Sequence, residues 1–175
     1  LSQFGVKPDE VRLVLLTHLH FDHIGNLLQS HKLTFRRAIH IIPYAELERM
    51  DHPHPDQPSF LYNHSAFSSF LSQLPDLRFI QKPEHITPWV EVIPTGGHSP
   101  GHSIILFSVQ EKQKIIHTGD LFIFPFFLTS GRNLNVHEHP EIIEEWKGRV
   151  KNWLKEGFRF YFYHSENPWF TQEEQ

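Results

Sequence analysis

Hydrophobic and polar positions change their spacing along the chain, and in the first half they predict strands and helices in turn. Residues 11–17 form a near-continuous apolar run, which is typical of a strand buried on both faces, and residues 38–42 predict a second short strand. Gly5 is expected to end a short helix over residues 1–4. Apolar residues at positions 24, 27 and 28 have helical spacing.

The segment from residue 43 to residue 74 predicts two helices separated by a loop. Pro43 suits the first turn of a helix over residues 44–50. Residues 51–58 contain three prolines, so we expect a loop there. Residues 59–74 place apolar side chains at intervals of three and four, and Ser59 is suited to cap this amphipathic helix.

The second half of the chain predicts a second sheet and one long helix. The predicted strands are residues 89–94, 102–109, 114–117 and 158–163. A polar turn would join the second and third of them as a hairpin. Residues 140–156 have apolar side chains on one helical face, Pro in the first turn and Gly157 just beyond the end, which predicts a helix.

Three histidines and one aspartate lie within six residues directly after the first predicted strand, in the sequence HLHFDH over residues 18–23. Imidazole and carboxylate groups are common ligands of zinc and related ions. Residues i and i+2 of an extended chain point to the same side, so His18 and His20 can bind one ion. Asp22 and His23, at the following turn, would face a second position. The spacing therefore favours two metal ions.

Three further segments place candidate ligands at strand ends. Residues 97–102 (GHSPGH) contain glycines that allow a tight backbone path, and one of the histidines is expected to be a ligand. Asp120 ends the sequence HTGD, and its two carboxylate oxygens could bridge two cations, although an isolated aspartate there is more often a turn residue. His164 follows the aromatic strand, where alone it would be a packing histidine. Ligands collect at strand ends in layered α/β folds, so the segments together favour a metal site.

These four segments, in this order across nearly the whole chain, resemble the motifs of the metallo-β-lactamase fold superfamily. The resemblance implies an α/β fold, an αβ/βα sandwich of two mixed sheets flanked by helices. It implies a first metal site of His18, His20 and His98, a second site of Asp22, His23 and His164, and Asp120 as the bridging ligand. Members have several strands before the HLHFDH strand, so we expect residues 1–175 to be a single metallo-hydrolase domain that lacks its N-terminal part. Residues 43–88 would be a helical insert that could act as a lid.

The resemblance also implies a dinuclear, metal-dependent hydrolase in which a metal-bridging hydroxide attacks an ester or lactone carbonyl. Two divalent ions are expected, with zinc favoured and manganese or iron as alternatives. Asp22 and Asp120 would be the catalytic carboxylates that orient the hydroxide and take its proton. The residues expected to surround the ligands are His102, His117 and Thr118.

Within the superfamily, the branch of acyl-homoserine lactone hydrolases is most similar in the HLHFDH run and the compact ending. The chain contains no cysteine, whereas the commonest β-lactamases of this fold use a Cys ligand. One departure is Ile123, because the lactonases commonly have Tyr three residues after the bridging Asp. The alternatives are a thioester hydrolase of the glyoxalase II type, a phosphoester or organophosphate hydrolase, and a mononuclear-iron enzyme similar to persulfide dioxygenases.

An apolar acyl pocket would use aromatic residues that lie near the motifs in sequence. The candidates are Phe21, Phe122, Phe124 and Trp169. The apolar run over residues 121–128, which contains two of them, is more typical of a core.

Charge and hydropathy narrow the range of partners. Lys and Arg number 16 against 20 Asp and Glu, which gives a net charge of −4, and the absence of a long basic run argues against nucleic-acid binding. The most apolar run is far shorter than the roughly 18 residues of a membrane helix. Charge and hydropathy therefore predict no nucleic-acid partner and no membrane span, while the resemblance implies a small-molecule ester or lactone as the partner. We expect a cytoplasmic location. The sequence makes no prediction of the oligomeric state.

Overall fold

The computed structural model describes residues 1–29, 32–52, 62, 64–109, 113–130, 132 and 137–171. The chain divides into two compact units, Leu1–Ile80 and Gln81–Gln175. None of the helices within the described ranges is long and apolar enough to cross a membrane.

The first unit contains a three-stranded parallel sheet with short helices between its strands. The strands of the whole unit are β1 (Leu13–Leu15), β2 (Leu28–Gln29), β3 (Lys32–Leu33), β4 (Ile39–Pro43) and β5 (Leu77–Ile80). Its helices are α1 (Phe21–Ile24), α2 (Glu46–Asp51) and α3 (His64–Gln73), with 3-10 turns at Ser2–Phe4, Pro8–Glu10 and Gly25–Leu27. β4 lies between β1 and β5, while β2 and β3 form a separate antiparallel pair. A hydrophobic core that includes Leu16, Leu19, Ile42, Phe67 and Phe70 joins the sheet to α3.

Parallel pairing brings the carboxyl ends of β1 and β4 to one edge of the first sheet. Leu15 pairs with Ile41, and the Leu16 amide donates a hydrogen bond to the Ile41 carbonyl. After these strands the chain continues into α1 and α2 respectively. The residues that follow β1 and β4 therefore lie at the same edge, where α/β sheets usually place functional groups.

Several predicted elements of the first unit have different bounds in the structure. The turn Ser2–Phe4 ends at Gly5 (φ 68°), as expected, but the strand predicted over residues 11–17 is only Leu13–Leu15. Leu28 belongs to β2, so its helical assignment is wrong. Pro43 ends β4 and does not begin a helix, because the Tyr44 amide continues the pairing to Ile80.

The segment over residues 43–88 is partly integrated into the sheets. It supplies β5, which was not predicted and which pairs with β4. The helix predicted over residues 59–74 is observed as His64–Gln73, and its proposed cap Ser59 lies outside the described residues. Of the loop predicted over residues 51–58, Asp51 belongs to α2 and residues 53–58 lie outside the described residues.

The second unit contains a six-stranded mixed sheet and one long helix. Its strands are β6 (Glu84–Thr87), β7 (Val90–Pro94), β8 (Ser103–Val109), β9 (Gln113–His117), β10 (Arg159–Tyr161) and β11 (Trp169–Phe170), in the order β11-β10-β9-β8-β7-β6. Its helices are α4 (Pro125–Thr129) and α5 (Pro140–Lys155). Only β9 and β10 are parallel; the other pairs in this sheet are antiparallel. Buried side chains of α5, among them Ile143, Val150 and Leu154, pack with Ile104, Ile116 and Phe160 of the sheet.

The antiparallel strand pair of the predicted hairpin and the long helix are confirmed, whereas the polar turn at residues 110–112 lies outside the described residues. β8 pairs with β9 in antiparallel register, and α5 ends just before Gly157, which has φ 85°. β6 and β11 were not predicted, because each is a short strand at the margin of the sheet with exposed positions.

One edge of the second sheet collects three chain segments. Tyr161 at the end of β10 pairs with His117 at the end of β9, so residues 118–120 and 162–164 leave the sheet together. β8 runs antiparallel to β9 and starts at this same edge, directly after the segment 98–102. The order of the strands therefore gathers three distant parts of the sequence.

Candidate metal centre

The first unit places the HLHFDH segment directly after β1. His18 and His20 are buried, with 0% and 2% of their surfaces exposed, in the stretch that joins β1 to α1. The His18 ring lies 4.6 Å from the His20 ring and 4.1 Å from the His23 ring, measured between centroids. Asp22 is half exposed, and its Oδ2 lies 3.5 Å from Nε2 of His23. Three imidazoles thus share one small volume with a carboxylate at its exposed side.

Two hydrogen bonds orient this segment. Oγ1 of Thr17 lies 3.0 Å from Nδ1 of His18, so a neutral His18 that donates through Nδ1 presents Nε2 as its acceptor nitrogen. The Leu19 amide donates to Oε2 of Glu46 over 2.9 Å, and Glu46 is completely buried. The Tyr62 ring packs edge-on against His20 with centroids 4.8 Å apart. Glu46 was not singled out in the sequence, because no spacing or motif connects it with the histidines.

In the second unit, Asp120 lies between two histidines from different segments. Its Oδ2 is 3.5 Å from Nε2 of His98, and its Oδ1 is 3.3 Å from Nε2 of His164. Asp120 and His98 are buried, and the His164 side chain is 30% exposed. Each carboxylate oxygen of Asp120 therefore faces one imidazole nitrogen.

The loop that carries Asp120 is fixed by its neighbours. The Asp120 amide donates to Nε2 of His102 over 2.9 Å, which requires the tautomer of His102 that carries its proton on Nδ1, and this nitrogen lies 2.7 Å from Oγ1 of Thr95. The Gly119 amide donates to Nδ1 of His117, and the Thr118 amide donates to the Tyr161 carbonyl. His102, His117 and Thr118 thus act on the Asp120 loop through hydrogen bonds.

His98 is held by its backbone and by a second histidine. Gly97 has φ 85°, and a Cβ atom there would lie 2.8 Å from Cδ1 of Ile143, so only glycine fits without a shift. Nδ1 of His98 lies 3.3 Å from Nδ1 of His137. Burial lowers the pKa of His137 to about 4, despite the raising effect of the Asp120 charge, so its ring is neutral at neutral pH. His137 was not predicted as a site residue, since it lies outside the recognisable motifs.

The aromatic residues expected around a substrate differ in exposure. Phe122 is completely buried in the core of the second unit, and we exclude it from the pocket for that reason. Phe21, Phe124 and Trp169 are 48%, 40% and 38% exposed, so they remain available to a ligand. Trp169 also stacks under the Arg159 guanidinium, with 4.8 Å between the guanidinium carbon and the ring centroid.

The side chains in these two regions fit a divalent transition metal. Seven of them belong to groups of His and Asp that could hold a metal ion: His18, His20, Asp22 and His23 in the first unit, and His98, Asp120 and His164 in the second. Five imidazoles and two carboxylates, most of them buried, are the donor set that zinc, manganese or iron takes in proteins without thiolate ligands.

Comparison with known proteins identifies relatives. N-acyl homoserine lactonase from Bacillus cereus is 28% identical over 122 residues, which cover 69% of this chain and 42% of the lactonase. A solved structure described as a probable metal-dependent hydrolase from Staphylococcus aureus is 26% identical with a TM-score of 0.81, covering 95% of this chain and 59% of that one. AidC, a dizinc quorum-quenching lactonase, shares the fold with a TM-score of 0.78 at 16% identity, covering 97% of this chain and 63% of its own.

The likeness to these structures confirms the predicted α/β fold. The chain spans well under two thirds of the length of the lactonase relatives. The sequence profile of the metallo-beta-lactamase superfamily matches residues 1–146, and on this match, which covers most of the chain and all but one of the candidate ligands, the chain belongs to that superfamily.

Proposed function

We propose that this chain carries the metal site of a dinuclear hydrolase that opens lactones. The ligands of the first ion would be His18, His20 and His98, those of the second Asp22, His23 and His164, with Asp120 shared by both. Zinc is the proposed metal. This assignment follows the superfamily to which the chain belongs.

The observation that carries the proposal is the position of Asp120. Its two oxygens face the Nε2 atoms of His98 and His164, which are 66 residues apart in the sequence. A buried carboxylate is costly unless charge or hydrogen bonds compensate for it, and cations at both oxygens would do so. Asp120 therefore has the position that a bridging ligand needs.

When bound, two divalent ions supply Lewis acidity and lower the pKa of water toward neutrality. The chain's own residues contribute preorganisation. Oγ1 of Thr17 lies within hydrogen-bond distance of Nδ1 of His18 and orients that ring, and His102 accepts a hydrogen bond from the Asp120 amide. A ligand set fixed in this way does not have to be ordered when substrate arrives, which is the main protein contribution at such sites.

The lactone substrate is proposed from the relatives, several of which are named N-acyl homoserine lactonases. The exposed rings of Phe21, Phe124 and Trp169 are apolar surfaces that suit an acyl chain. Ile123 stands where the lactonases commonly have Tyr, so the proposed reaction does not use a Tyr at this position to assist the leaving group, and another ester or an organophosphate is the alternative substrate. We also propose the helical part of residues 43–88, without the sheet strands β5 and β6, as a cover over the substrate.

The test is metal content combined with a substrate panel. Protein purified without chelator is measured by elemental analysis as wild type, as His98→Ala, and as His85→Ala, whose side chain is 71% exposed and serves as the control. Lactones, thioesters and phosphotriesters are then assayed. We expect roughly two zinc ions per chain in wild type and control, fewer in His98→Ala, and turnover of lactones above the other classes.

Other outcomes separate the alternatives. Thioester or phosphotriester turnover with two metals would keep the site but replace the substrate class. One iron per chain with oxygen consumption would indicate a dioxygenase. Folded wild-type protein that binds no metal would overturn the proposal.

A further inference from the structure

A buried carboxylate lies next to the first two histidines without being one of the candidate metal ligands. Glu46 is the first residue of α2, its surface exposure is 0%, and its Oε2 accepts a hydrogen bond from the Leu19 amide over 2.9 Å. Leu19 separates His18 from His20 and is itself completely buried. One carboxylate thus contacts the peptide unit that joins two candidate ligands.

The topology of the parallel sheet explains why residues 27 positions apart meet here. β1 and β4 are neighbours with their carboxyl ends at one edge, and Leu19 and Glu46 follow those ends by four and three residues respectively. The last ladder hydrogen bond of this strand pair is the one from the Leu16 amide to Ile41. Beyond it, the backbone needs another acceptor, and the Glu46 carboxylate supplies one for Leu19.

Burying a carboxylate costs free energy that packing alone would not return, since an apolar side chain of the same size would fill the space without that cost. A hydrogen bond from an amide to an ionised carboxylate is shorter and stronger than one between neutral groups, and it constrains the orientation of the peptide that donates it. A constraint on the Leu19 peptide fixes the backbone angles on both sides. Because Leu19 lies between His18 and His20, whose ring centroids are 4.6 Å apart, this constraint acts on the directions of both imidazoles.

We propose that Glu46 is a positioning residue of the metal site, which holds His18 and His20 in their metal-binding orientation through the Leu19 amide. The inference rests on the proposed function, because it requires that these histidines bind a metal. Glu46 itself does not bind the ion. Its role is to keep the two imidazoles aligned before the metal arrives.

The test replaces Glu46 by side chains of similar size. Glu46→Met fills the space but leaves the Leu19 amide without this acceptor, whereas Glu46→Gln retains an acceptor oxygen without the charge. Glu48→Met is the matched control, since Glu48 is exposed on the same helix. Metal affinity is measured by competition with a chromophoric chelator, the visible spectrum of the cobalt-substituted protein is recorded, and thermal unfolding of the metal-free protein is followed in parallel.

We expect Glu46→Met to bind metal about 10- to 100-fold more weakly than wild type and to show a changed cobalt spectrum, which depends on ligand geometry. Glu46→Gln should recover most of the affinity and the wild-type spectrum, and Glu48→Met should match wild type. If Glu46→Met does not fold, Glu46→Asp provides the comparison: its carboxylate is one methylene shorter, so it should keep the charge and still lose affinity.

Failure of this inference can be distinguished from failure of the proposed function. If Glu46→Met and Glu46→Asp bind metal as tightly as wild type with the same cobalt spectrum and differ only in unfolding temperature, Glu46 has a purely structural role and the inference fails. If wild type itself binds no metal, the proposed function fails first.

Discussion

The two units provide their candidate ligands in different ways. In the first unit, four donors lie in one run of six residues that follows a single strand, β1. In the second unit, three donors come from three segments separated by more than 20 residues each, and only the order of β8, β9 and β10 gathers them. Local sequence thus places the first set, whereas strand pairing places the second.

Because of this difference, the two sets of ligands need different contacts to hold their side chains in position. The contiguous donors share one backbone, so a single contact to that backbone, from Glu46 to the Leu19 amide, acts on two of them. The dispersed donors need separate supports, which are the His102 contact to the Asp120 amide and the His137 contact to His98. In the second unit, we therefore expect substitutions at more positions outside the ligands themselves to lower metal affinity.

The largest effect should come from Asp120→Asn. The amide group keeps the shape but replaces one ligating oxygen by a donor, so it cannot bridge two cations. We expect the metal content to fall from roughly two ions to one or fewer, with hydrolysis reduced beyond the roughly 10- to 100-fold typical of losing an outer partner. Asp22→Asn, at a half-exposed position in the first unit, should cost less. Equal metal content in Asp120→Asn and wild type would contradict the bridging role.

His137→Phe tests the dispersed supports. If His98 binds metal through Nε2, its Nδ1 carries the proton and donates to His137, so the phenyl ring removes that acceptor while it fills the space. Metal affinity should fall about 10- to 100-fold by chelator competition. His139→Phe, two residues away with a side chain that is 46% exposed, is the control and should leave affinity unchanged. An equal loss in both variants would point to a general disturbance of the segment.

Gly97→Ala tests the backbone that carries His98. The positive φ and the short approach to Ile143 make alanine unfavourable, and we expect the free energy of unfolding to fall by about 1–3 kcal/mol in urea titrations. Gly148→Ala is the matched substitution inside α5, where a Cβ meets nothing within 4 Å, and it should stabilise the protein by up to about 1 kcal/mol. A neutral result at Gly97 would show that the loop relaxes freely.

A smaller, pH-dependent effect is expected in the core of the first unit. Burial lowers the pKa of His40 below its usual value of 6.5, although its Nδ1 donates to the Ala38 carbonyl and the Asp76 charge opposes the shift. The unfolded chain therefore binds this proton more readily, so stability is fully present above pH 6.5 and is lost as the pH falls from there toward the folded-state pKa.

His40→Leu should reduce this loss of stability. Urea unfolding of the metal-free protein between pH 7.5 and 5.5 would show it, as a slope that is smaller by up to one proton, or about 1.4 kcal/mol per pH unit. An unchanged slope would mean that His40 titrates alike in both states.

Much of the fold could be predicted from the local pattern of apolar residues, but the elements that depend on pairing between strands could not. The α5 helix has apolar spacing, a proline start and a glycine end, and its predicted bounds agree with the structure. β5 and β6 have no comparable pattern, since they are four-residue strands defined by their neighbours. Pro43 shows the same limit: its preference for a helix start yields to the pairing of β4 with β5.

For the site, the sequence by itself determined the kind of chemistry. The donor types and their spacing at residues 18–23, 97–102 and 117–120 indicate a metal centre and the superfamily, because ligand chemistry is a property of the side chains themselves. The sequence also placed His102 near the ligands, but only the tertiary structure decided what His102 contacts and added Glu46 and His137 to the supporting groups. Glu46, His102 and His137 act through hydrogen bonds across 18 to 39 residues of sequence, and such contacts exist only after strands pair and bring distant backbones together.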